Sequence, residues 1–60
     1  MTFTMEQIEE AMEDGTIGFC IVCGEEHDGI ESDAREYPCE VCGTDSVYGA
    51  EEILLMGMVE

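Results

Sequence analysis

Two copies of one five-residue unit constrain this chain more than any other feature. They are Cys20-Ile21-Val22-Cys23-Gly24 and Cys39-Glu40-Val41-Cys42-Gly43, in the spacing C-x2-C-x15-C-x2-C. An aromatic residue stands just upstream of each, Phe19 before the first and Tyr37 before the second. Two intervening residues let the chain turn tightly, so that both sulfurs of a pair point to one side and N–H groups in the turn can donate to them. The glycine that follows can take a positive φ where the chain leaves the turn. Two such knuckles facing each other supply four thiolates in a tetrahedron, at about 2.3 Å from a metal ion. The spacing therefore predicts Cys20, Cys23, Cys39 and Cys42 as the ligands of one structural Zn2+. The competing arrangement, disulfides within each pair, closes very small loops and adds little stability.

The paired units resemble those of the zinc-ribbon and rubredoxin-like superfamily over residues 17–48. The resemblance implies two knuckle hairpins beside a small antiparallel sheet, with Zn2+ or Fe held by the four cysteines. Rubredoxins are similar in size and acidity. They differ in a longer gap between knuckles, a proline inside the second knuckle and a packed aromatic core. This chain has Glu40 inside the second knuckle, Pro38 just before it, and no Trp. In its shortness, acidity and flanking helices it is also similar to small bacteriophage zinc-ribbon proteins that carry no assigned activity.

At 60 residues the chain makes one small domain, and a core of that size usually needs a staple. The four cysteines are that staple. The sequence has no signal-peptide pattern, so a reducing, cytoplasmic setting is expected, where a metal is favoured over disulfides. Sixteen acids stand against Arg35, the sole Lys or Arg, for a formal charge of −15. That balance excludes a nucleic-acid backbone and an anionic membrane surface as direct partners. The hydrophobic fraction of 45% is nevertheless that of a folded domain.

Residues 1–14 read as an amphipathic helix. Thr4 and Gln7 make a capping box, Gly15 makes a stop, and Met5, Ile8, Ala11 and Met12 share one side. That stripe is expected to pack on the domain, with a partner-binding face as the alternative. Thr16 to Phe19 and Val47-Tyr48 read as strands, and Asp28-Gly29 as a turn. Residues 31–36 are loop-like, and Pro38 pushes Tyr37 into an extended conformation. Residues 50–56 have high helix propensity and Gly57 ends them, with a strand over 53–59 as the alternative. The expected fold class is a small metal-stabilised α+β zinc ribbon with a short helix at each end, one domain over 1–60.

A site closed by four sulfurs has no open position for a substrate water, so the metal is expected to be structural. His27 is expected at the surface, and Arg35 in a pair with a nearby carboxylate. Glu25-Glu26 and Glu51-Glu52 are adjacent acids expected by chance in so acidic a chain, and no nucleophile accompanies them. No enzyme activity and no small-molecule substrate are expected. Ile53, Leu54, Leu55, Met56 and Met58 leave the last helix without a polar face, so some of the segment is expected to pack on the first helix and the ribbon, and the remainder to form a surface for a partner or for self-association. The resulting expectation is an acidic protein–protein interaction module that docks onto a basic protein. Inhibition of a nucleic-acid-handling protein by charge mimicry is its sharper form. A rubredoxin-like iron electron carrier is the alternative.

Overall fold

The computed structural model of the chain describes residues 2–60. Met1, the first residue of the range read as the N-terminal helix, lies outside the described residues. The elements run α1 (Met5–Asp14), β1 (Ile17–Cys20), β2 (Glu26–Asp28), β3 (Val47–Gly49) and α2 (Ala50–Leu55). The three strands form one antiparallel sheet in the order β2-β1-β3. No helix among the described residues is long and apolar enough to cross a membrane.

The helix ends follow from local chemistry. Thr4 caps α1: its Oγ1 accepts from the Gln7 N–H (3.2 Å), and the Thr4 N–H donates to the Gln7 side chain (2.9 Å). Phe3 just before this cap and Ile8 in the second turn join one buried cluster, the arrangement of a hydrophobic staple. The helix thus begins at Met5, and residue 3 is free to pair: its N–H donates to the Met58 carbonyl and its carbonyl accepts from Glu60 N–H (2.8 and 2.9 Å). Gly15, at φ 82°, turns the chain out of α1.

Helix α2 has no side-chain cap. Instead the Ser32 carbonyl accepts from the N–H groups of Glu51 and Glu52 (3.1 and 3.3 Å). At its other end Gly57 N–H donates to Leu54 and Met58 N–H to Ile53 (3.1 and 3.2 Å), which is a Schellman motif. That motif brings Met58 back onto the core beside Ile53.

Alternation along the strands separates two cores. Phe19 is paired with Tyr48, and both belong to the cluster under the helices, with Phe3, Ile8, Ala11, Ala50 and Ile53. The Phe3 and Phe19 rings lie 5.0 Å apart between centroids. The next pair, Cys20 with Val47, points to the other cluster, with Ile30, Ala34 and Cys39. One face of the sheet therefore carries the helices and the other carries the cysteines.

Three sequence expectations need correction. First, Met5 and Met12 are not packed with Ile8 and Ala11 but are 41% and 44% exposed. At 100° per residue Ile8 and Ala11 point at the sheet, whereas both methionines sit on one flank of the helix. Second, of the residues expected as partner surface, Ile53 is fully buried and so is not available, and Met58 is half-buried. Leu54, Leu55 and Met56 are exposed. Third, residues 26–28 form a strand where only a turn is expected. The expected pairing of Arg35 with a carboxylate is present: Glu52, a buried acid, lies 2.8 Å away.

Candidate metal centre

The two knuckles are built alike. In the first, Gly24 N–H donates to the Cys20 carbonyl and Cys20 N–H to the Glu25 carbonyl (both 2.9 Å). In the second, Gly43 N–H donates to the Cys39 carbonyl and Cys39 N–H to the Thr44 carbonyl (2.9 and 2.7 Å). Gly24 and Gly43 have φ of 80° and 77°, a conformation that residues with a Cβ resist. The spacing C-x2-C-G is thus a local backbone device.

The sheet brings the two devices together. The first knuckle joins β1 to β2, and the second is closed by the Tyr37–Val47 bridge. Strand β1 also pairs with β3, and Ile21 N–H donates to the Ser46 carbonyl (2.9 Å). The outgoing limb of one knuckle therefore lies beside the return limb of the other.

As a result the sulfurs of Cys20, Cys23, Cys39 and Cys42 all lie within 4.8 Å of one another. Cys20 Sγ is 3.5 Å from Cys42 Sγ, and Cys23 Sγ is 3.6 Å from Cys39 Sγ. Both separations far exceed the roughly 2.05 Å of a disulfide, and all four cysteines are free thiols. A tetrahedron of sulfurs about 2.3 Å from a zinc ion has edges of about 3.8 Å. The donor set and its spacing therefore fit a four-sulfur metal site. The first cysteine of each pair is buried and the second is exposed.

The surroundings favour thiolates unevenly. Burial opposes ionisation of Cys20, but N–H groups of Cys23 and Val22 aimed at its sulfur (both 3.4 Å), helped by Cys42 and Cys23, bring it down to about 6. For Cys42 the Thr44 side chain (Oγ1 at 3.1 Å) and backbone lower the thiol. For Cys23 the Glu25 backbone lowers it, but burial and the sulfurs of Cys20, Cys39 and Cys42 outweigh that and push it up to about 12. Close sulfurs cannot all carry charge unaided. A divalent cation among them removes that conflict and would let all four ionise.

His27 is only half-buried, yet it is not the free surface group that its surroundings in the sequence suggest. Its register opposite Gly18 carries the ring to the cysteines, with Nε2 3.5 Å from Cys39 Sγ. That places an imidazole within reach of an N–H···S bond to a ligand. Sequence reasoning misses it because the alignment depends on a strand with no apolar residue.

The chain matches no family model, no curated protein and no solved structure.

Proposed function

We propose that the chain is a non-enzymatic, zinc-stabilised interaction module of the zinc-ribbon kind, which docks onto a basic protein. The observation that carries this reading is the distribution of charge. Every acid except Glu52 is exposed, and Arg35, the only Lys or Arg, is tied to Glu52. The surface thus offers negative charge with no Lys or Arg free to offset it. Such a field steers basic partners and repels polyanions and acidic membranes.

Four sulfurs make a closed set, which suits a structural ion. Four thiolates and one divalent ion together add two negative charges, taking the formal charge from −15 to about −17. The longest dimension is 26 Å. Duplex DNA of that length carries about 15 charges. This match supports the sharper form, occupation of the basic groove of a nucleic-acid-handling protein.

The test is affinity capture with the intact metal-loaded protein from its native lysate, at low and high salt. Basic partners retained at low salt and released at high salt are expected. Affinity that ignores salt would reject mimicry.

The exposure of Cys23 and Cys42 favours a second reading, an iron electron carrier, because electrons would have a short path to the surface. Metal analysis of protein from its native cells separates the two. Zinc protein is colourless, whereas the iron form is red and redox-active.

A further inference from the structure

We infer that the groove between α1 and α2 receives a basic amphipathic helix of a partner protein. This rests on the reading of the chain as an acidic interaction module, and it assigns that module's contact surface and the partner's form. The groove is lined by Met5, Met12, Leu54, Glu9 and Glu13 and has a volume of about 510 Å³.

Three observations carry the inference. First, Met5, Glu9, Met12 and Glu13 follow the spacing of one helical flank, adjacent to but distinct from the Ile8–Ala11 face that the core covers. The fold leaves this flank uncovered: Met5, Met12 and Leu54 are 41%, 44% and 38% exposed. Second, the lining residues of α1 span about two helical turns, and the depression is shallow and open to solvent. That shape suits the apolar stripe of a helix better than an enclosed small molecule. Two of the three apolar residues are methionines, whose unbranched side chains adapt to a partner.

Third, the walls choose the charge of the occupant. Glu9 and Glu13 are exposed carboxylates beside the apolar floor. A second copy of this chain would bring acids against acids, with its only Arg already committed to Glu52. A helix with Leu or Met on one stripe and Lys or Arg on its shoulders satisfies floor and walls together.

The test uses the zinc-loaded full chain and two fluorescently labelled peptides of identical composition. One places Leu at helical spacing with Lys on the flanks, and the other scrambles that order. Anisotropy titrations should show the patterned peptide binding at least tenfold tighter than the scrambled one. Met12→Gln and Leu54→Gln should each weaken it several-fold with an unchanged circular-dichroism spectrum. Val41→Gln, at an exposed apolar residue remote from the groove lining, should leave it unchanged.

Equal affinity for both peptides, unmoved by Met12→Gln and Leu54→Gln, would overturn the groove and leave the acidic module standing. Failure of both peptides to bind at low salt would overturn both. Concentration-dependent dimerisation that competes with the peptide and is broken by Met12→Gln would overturn the inference in favour of self-association.

Discussion

Gly18 and Gly49 lie opposite each other across β1 and β3, and the loop that follows β2 rests on both. A Cβ on Gly49 would collide with the backbone of Glu31 and Ser32. One on Gly18 would collide with the Ile30 side chain and come within 2.7 Å of the Tyr48 carbonyl oxygen. These bare positions let the loop approach closely enough for Ser32 to cap α2 and for Ile30 and Ala34 to join the cysteine-side core.

Gly49→Ala is therefore expected to destabilise the metal-loaded protein by about 1–3 kcal/mol, the usual cost of overpacking. In a domain this small each kcal/mol lowers the melting midpoint by about 4–8 °C. Gly15→Ala is a control of another kind: a Cβ there meets nothing within 4 Å, and the cost comes only from φ 82°. A thermal melt of Gly49→Ala that coincides with the parent would refute the close packing.

Arg35 joins the loop to α2 through Glu52, with Nε 2.8 Å from Oε1 and a second contact of 3.4 Å from a terminal nitrogen to Oε2. The Glu52 side chain is 10% exposed and that of Arg35 71%. Removing the cation leaves a nearly buried carboxylate, so Arg35→Ala should cost about 1 kcal/mol or more. Adding Glu52→Gln should return part of that loss, because the stranded charge disappears. Urea unfolding of the single and double variants measures both effects, and a fully stable Arg35→Ala would contradict the pairing.

The thiols set the pH response. Cys20 is depressed from 9.0 to about 6, so its contribution to stability is complete above 9 and is lost as the pH falls through 6. Cys23 is raised from 9.0 to about 12, so in a fold where it kept its proton its contribution would be complete below 9 and lost as the pH rises through 12. Metal ligation would make Cys23 a thiolate and remove that alkaline loss. The loaded protein should thus lose stability on the acid side and show no Cys23-linked loss between 9 and 12. Melting curves across this range check it. An alkaline loss that Cys23→Ser abolishes would show that Cys23 keeps its proton and does not ligate.

The parts of the structure legible in the sequence are those fixed within a few residues. The knuckle hydrogen bonds involve only residues i to i+5, so C-x2-C-G announces them, and Thr4 with Gln7 announces the start of α1. Strand β2 was not legible, because Glu26-His27-Asp28 has no apolar residue. It forms because the first knuckle folds the chain back along β1, which dictates the pairing. Burial of Ile30, Ala34 and Glu52 was hidden for a similar reason. It depends on how closely a loop can approach two glycines that are remote in sequence. The exposure of Met5 and Met12 reflects size: a sheet of three short strands covers only one side of a helix.

Cys20 and Cys39 belong to the cysteine-side core with Ile30, Ala34 and Val47, so a metal held by the four sulfurs would couple its binding to folding. Sites of this kind contribute on the order of 10–16 kcal/mol, against the few that so small a core supplies. The most direct measurement is a zinc titration of the reduced, metal-free chain, followed together by circular dichroism and by counting reactive thiols. An unfolded spectrum without metal, folding complete at one zinc per chain, and protection of all four cysteines at that point are expected. A spectrum already folded without metal and unchanged by zinc, or thiols that stay reactive after zinc is added, would contradict that coupling.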